Sequence, residues 1–140
     1  MRWSTGIVLV VDLEDEVLKI LRTALQFSDY IVLQATTGNE ALAVLSRLKH
    51  PLDLTVIDLD IPNDDGLVVS LLAILGPQKT TKIIVKTSRQ DKPFLESVNY
   101  FGVDAIVLKP ISVEQLVKTV HATLSGHRVG SARVSAGTAA

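Results

Sequence analysis

Apolar residues along this chain follow two alternating rhythms. Short, mostly apolar runs at 7–11, 30–35, 54–57, 83–85 and 106–108 are rich in Val and Ile, as expected of strands covered on both faces in a parallel sheet. Between them the apolar positions recur every three or four residues. Val17, Ile20, Leu21, Ala24 and Leu25 share one helical face, as do Ala41, Leu42, Leu45 and Leu48, and later Leu116, Val117, Val120 and Leu124. The pattern predicts helices over about 14–27, 37–49, 67–75, 91–101 and 112–124, one after each strand.

Local signals punctuate these helices. Acids open the first, where they complement the positive end of the helix dipole. Thr37 with Glu40, and Ser112 with Gln115, have the spacing of a capping box. Asp91 is placed to cap the helix toward Gly102, with Pro93 tolerated in its first turn. Residues 67–75 contain one polar side chain, Ser70, before Gly76 and Pro77 end the run, so that helix should be largely buried or offered to a partner.

Five strand–helix units with short connections predict an α/β, flavodoxin-like, doubly wound five-stranded parallel sheet, order 2-1-3-4-5, with helices on both faces. The chain has 140 residues, the size of one domain. The expected domain spans 1–125. Residues 126–140 are rich in Gly, Ser and Ala without periodicity and are expected to be a flexible tail or linker.

Composition narrows the function classes. The formal charge is −1, which supplies no general attraction to nucleic acid or to an anionic membrane. No apolar run reaches the length of a membrane span. Cysteine is absent, which removes disulfides and thiolate metal sites and fits a reducing, cytoplasmic setting.

The predicted strand order brings four strand ends together, carrying Asp12, Asp58, Thr87 and Lys109. Ligands of open α/β sheets bind beyond the carboxyl ends of the strands, and Asp58 ends the central one, so it is the candidate reactive residue. Nine of the fifteen acids fall in 12–16 and 53–65, both on that rim. Crowded oxygen ligands suit a hard cation such as Mg2+, and a lysine supplies a compact charge for phosphate or carboxylate.

These residues resemble the receiver domain of two-component response regulators. The matching pieces are V-V-D at 10–12, D-L-T-V-I-D at 53–58, Pro62, D-G at 65–66, Thr87, Gly102 and K-P at 109–110, within about residues 6–125. The resemblance implies that Asp58 accepts a phosphoryl group from a phosphohistidine of a sensor histidine kinase or phosphotransfer protein. It implies that Thr87 and Lys109 contact the phosphoryl oxygens, and that Mg2+ is held by Asp12, Asp58 and the backbone carbonyl of Asp60. It also implies a cis peptide at Lys109–Pro110, an isomer accessible mainly before proline. Signalling would then proceed by docking an output protein, without direct nucleic-acid or membrane binding, and the domain itself would not be an enzyme.

The chain departs from the family pattern in three places. The second strand-one acid, the family's direct metal ligand, is Leu13, with Glu14 and Asp60 as possible substitutes nearby. The strand-five aromatic that couples to the strand-four hydroxyl is Ile106, which has no ring to swing; Tyr100 and Phe101 stand close in sequence. Lys86 places a charge inside strand four just before Thr87, either reaching over the rim as an extra cation or running to solvent.

These departures keep open a degenerate receiver acting through its surface without phosphorylation. A flavin protein would need a phosphate-cradling loop after strand one, where this chain has four acids at 12–16. A dinucleotide enzyme would need G-x-G-x-x-G there. A metal-dependent phosphohydrolase is the nearer rival, because Asp58 and Asp60 have its two-residue spacing.

Overall fold

In a computed structural model the chain is described at residues 6–25, 29–61, 71, 74–75, 80–126 and 133–135. Its elements are β1 (Gly6–Val11), α1 (Asp15–Ala24), β2 (Tyr30–Ala35), α2 (Gly38–Arg47), β3 (Leu54–Asp58), β4 (Lys82–Thr87), α3 (Lys92–Tyr100), β5 (Ala105–Leu108), α4 (Val113–Leu124) and β6 (Arg133–Ser135). All strand pairs are parallel and the sheet order is β2-β1-β3-β4-β5-β6. The expected order 2-1-3-4-5 is therefore present, with one strand added beyond β5.

That added strand is the departure from the sequence reading. Arg133–Ser135 pairs in register with Ala105–Val107, inside the stretch read as tail. Its three residues carry too short a pattern to register as a strand; what makes them one is the row of β5 backbone groups beside them.

Strand alternation sorts the core into two faces. Val8, Val10, Leu54, Val56, Ile84, Ala105 and Val107 point toward α1 and α4, where Val17, Leu18, Leu21, Leu116 and Val120 cover them. Leu9, Val11, Ile57, Ile83, Val85 and Ile106 point to the other side, against Ala41 of α2, Val98 of α3 and Leu71 and Leu75. The predicted helix over 67–75 lies mostly outside the described residues. At the three described positions Leu71 and Leu75 are buried and Ile74 is exposed, as a one-sided apolar helix requires.

The caps divide. Thr37 and Ser112 accept from the backbone N–H of Glu40 and Gln115, at 3.0 and 3.1 Å. Glu40 reaches back to the Thr36 N–H at 2.6 Å and also takes the Thr36 hydroxyl; these bonds hold its carboxyl below the usual range, the hydroxyl contributing most. Asp91 stands at the N-cap of α3 but makes no side-chain cap bond. Its carboxylate is instead taken by the Arg89 guanidinium, at 2.9 and 3.1 Å, because a bidentate charge-assisted pair outcompetes a single backbone donor. Gly102, with φ 79°, ends α3 in the left-handed conformation that glycine adopts without steric cost.

Candidate functional site

Because every strand of the sheet runs the same way, the C-terminal residues of β1, β3, β4 and β5 open onto one edge. Asp12 follows β1, Asp58 ends β3, Lys86 and Thr87 end β4, and Lys109 follows β5. Asp12, Asp58, Lys86 and Thr87 are all buried. Buried charges persist in a fold only when paired or hydrogen-bonded, and each of these is.

Two ion pairs organise the edge. Lys109 Nζ sits 2.9 and 3.0 Å from the two carboxylate oxygens of Asp58. Lys86 Nζ lies 2.6 Å from Asp12 Oδ2. Asp60 joins the first pair: its Oδ2 is 3.3 Å from Lys109 Nζ and accepts the Ser88 N–H at 2.7 Å, while its Oδ1 accepts the Thr87 hydroxyl at 2.9 Å. The Asp60 N–H in turn donates to Asp58 Oδ1 at 2.8 Å.

The electrostatics follow these contacts. Burial pushes the Asp60 carboxyl up, but the donors on Ser88 and Thr87 and the Lys109 charge outweigh it and hold the group below its ordinary value. For Lys109 burial works against the ammonium, yet the hydrogen bond and charge of Asp58, then Asp60, raise its pKa. The Lys109–Pro110 peptide is cis, as the resemblance implies.

The structure gathers the residues singled out from the sequence, but in pairings the sequence did not show. Asp58 and Lys109 meet directly. Thr87 bonds Asp60 rather than Asp58. Ile106 is buried among aliphatic side chains, and Tyr100 is 87% exposed. Lys86 does not run to solvent; it is 2% exposed. The Ser88 N–H went unnoticed in the sequence, since a backbone donor leaves no mark there. A cleft lined by Glu14, Lys86, Ser88, Lys109, Pro110 and Ile111 opens beside the cluster.

The comparisons with known proteins decide the family. Residues 8–121 match the model of the response regulator receiver domain. The chain belongs to the response regulator receiver family. It is 31% identical to the two-component response regulator ARR10 of Arabidopsis thaliana over 78% of this chain and 19% of that protein. It is 32% identical to the transcriptional regulatory protein ResD of Bacillus subtilis, over 84% and 47% respectively. The chain thus spans half or less of the length of these relatives. Among solved structures, the receiver domain of the Francisella response regulator 1452 aligns with TM-score 0.67 and 26% identity over 89% of this chain and all of that one. A CheY-like receiver from Methanospirillum hungatei has the same fold, with TM-score 0.71 and 23% identity, over 88% and 96%.

Receiver domains generally bind Mg2+ at this acidic edge. Both oxygens of Asp12 are engaged, Oδ1 by the Glu14 N–H at 2.9 Å and Oδ2 by Lys86. Leu13, 50% exposed, brings no oxygen. Among the described residues no three His, Cys, Asp or Glu side chains are grouped to hold a metal. With two ammonium groups already on the carboxylates, the described residues in this arrangement do not fit a divalent cation.

Proposed function

We propose that this receiver accepts a phosphoryl group on Asp58 from the phosphohistidine of a sensor histidine kinase or phosphotransfer protein and passes the signal on by docking an output protein. The supporting observation is the Lys109 ammonium bridging both oxygens of Asp58 at the end of the central strand. A carboxylate held this way is fixed in place as a nucleophile, with a cation where charge builds on the transferred group. As one Asp58 oxygen bonds to phosphorus, the P–N bond of the donor breaks. Its electron pair stays on the imidazole nitrogen, and the ring leaves neutral with the proton it already carries on the other nitrogen.

In this reading Thr87, Ser88 and Lys109 then serve the phosphoryl oxygens, and Asp60 must first release them. The same contacts favour a second reading, docking without phosphorylation, because the Asp60 carboxylate already engages the three donors a phosphoryl group would use. The output surface in either case is the side formed by α3, β5 and α4, where β6 lies along β5, next to the Thr87–Ser88 loop and bearing exposed Tyr100. The setting of the domain is cytoplasmic. Among the described residues no helix is long and apolar enough to cross a membrane.

Incubation with phosphoramidate followed by intact mass measurement tests the main reading. A gain of one phosphoryl that vanishes in Asp58→Ala is expected. No gain under any condition would leave the second reading, and steady release of inorganic phosphate from small phosphate esters would point to the phosphohydrolase instead.

A further inference from the structure

We propose that Lys86 is a tethered cation that takes over the part of a bound divalent ion, so that phosphorylation of Asp58 proceeds without metal. The inference rests on the phosphoacceptor reading and adds to it how the site is charged.

Lys86 is the register partner of Asp58 on the neighbouring strand, while Asp12 lies at the end of β1 on the far side of β3. To place its ammonium 2.6 Å from Asp12 Oδ2, the Lys86 side chain must cross the end of β3, the strand that carries Asp58. The cation is thus delivered past the end of β3 onto Asp12, while Lys109 holds Asp58. Solvent does not hold it there, since the side chain is 3% exposed and that of Asp12 1%.

Charge counting points the same way. Asp12, Asp58 and Asp60 bring three carboxylates to the cluster, Lys86 and Lys109 bring two ammonium groups, and Glu14 lines the cleft beside them. A divalent ion added to this set would meet Asp12 already neutralised and would have to displace a buried lysine. The one position where the family adds a ligand for that ion holds Leu13. Leu13 and Lys86 stand far apart in the sequence, yet both act against an ion at the same place.

The chemistry is adequate for the transfer. A phosphoryl group in flight needs positive charge near its equatorial oxygens, fixed before reaction. Lys109 supplies one charge from β5 and Lys86 a second from β4. The four-carbon stem of lysine lets the ammonium shift from Asp12 toward a phosphoryl oxygen without backbone movement. Lys86 also lines the cleft beside the cluster, so its charge borders the space through which a donor approaches.

The test compares wild type, Lys86→Met and Lys86→Arg with phosphoramidate, in chelator and in millimolar MgCl2, and follows Mg2+ binding separately. Wild type is expected to be phosphorylated at the same rate with and without Mg2+. Lys86→Met should lose about a hundredfold in chelator, the loss typical for one preorganised charge-stabilising group, and should regain most of it in Mg2+. Lys86→Arg should stay near wild type and remain indifferent to the ion. Such a change in metal requirement is not produced by a lysine that only supports packing. Independently of phosphorylation, Mn2+ should leave the amide resonances of Asp12 and Asp58 unbroadened in wild type and broaden them in Lys86→Met.

A wild type that needs Mg2+, or whose Asp12 and Asp58 resonances broaden with Mn2+, overturns the proposal, and needs no variant to fold. A Lys86→Met protein as fast as wild type in chelator overturns it as well. Absence of phosphorylation in every sample would instead overturn the phosphoacceptor reading, and the Mn2+ experiment alone would then decide the role of Lys86.

Discussion

The pair between Asp12 and Lys86 should be worth several kcal/mol to the fold, and only as a pair. Both side chains are almost wholly out of water, and neither charge has another partner of opposite sign among the described ion pairs. Lys86→Met keeps the length of the chain and removes the charge, leaving the Asp12 carboxylate buried with the Glu14 N–H as its remaining described donor. Breaking a buried pair from one side typically costs about 3–5 kcal/mol, a large share of a domain's total of about 5–15 kcal/mol. For a chain of this size that is a fall in Tm of about 10–15 °C. Asp12→Asn should cost a similar amount, because it strands the ammonium. The double variant removes both charges and should come within about 1–2 kcal/mol of wild type, since replacing a whole buried pair is often nearly neutral. Urea unfolding of the four proteins in chelator, closed as a double-mutant cycle, would then give a coupling energy of about 4 kcal/mol or more. Single variants that each cost under about 1 kcal/mol, or costs that simply add, would show that the two charges are solvated in solution and that the pairing is wrong.

Three further outcomes follow from the same contacts. Asp60→Ala frees Thr87, Ser88 and Lys109 for the phosphoryl group; losing those bonds should destabilise the unphosphorylated domain by about 1–2 kcal/mol and raise the phosphorylated fraction at fixed donor by roughly tenfold, read by intact mass, and an unchanged fraction would mean that Asp60 does not compete for the donors. Leu13→Asp alone should gain little Mg2+ response in thermal melts while Lys86 occupies Asp12, whereas Leu13→Asp with Lys86→Met should be stabilised by the ion through mass action; a strong response in the single variant would show that Lys86 yields readily. The Asp60 carboxyl is held below its ordinary 3.8, so its contribution to stability is present above that value and is lost as pH falls through the depressed one; Asp60→Asn should melt with a shallower pH dependence than wild type below pH 3.8, and parallel curves would refute the assignment.

Much of the architecture was decided locally and could be read from the chain. Short apolar runs rich in Val and Ile separate the five strands from the periodic helices, although β2, at the edge of the sheet, leaves Ile31 exposed. Thr37 and Ser112 act on backbone groups three residues away, so their caps were visible; Asp91 takes the expected N-cap position, but its carboxylate pairs with Arg89, two residues before it. The site residues were legible as strand-end polar groups, since parallel strands must send those ends to one edge.

What the chain could not show is which of these groups touch. Lys86 and Asp12 are 74 residues apart, and a lysine at the end of an apolar strand has the same local sequence whether it runs to solvent or crosses a neighbouring strand. The sheet order, with β3 between β1 and β4, puts Asp12 within its reach, and burial then leaves the pair as the satisfied arrangement. Asp60 likewise reads locally as a turn residue, and only the approach of the β4–α3 loop gives it Thr87 and Ser88. The sixth strand is the extreme case: residues 133–135 have no strand pattern of their own, and the exposed edge of β5, a feature of the folded sheet, is what orders them.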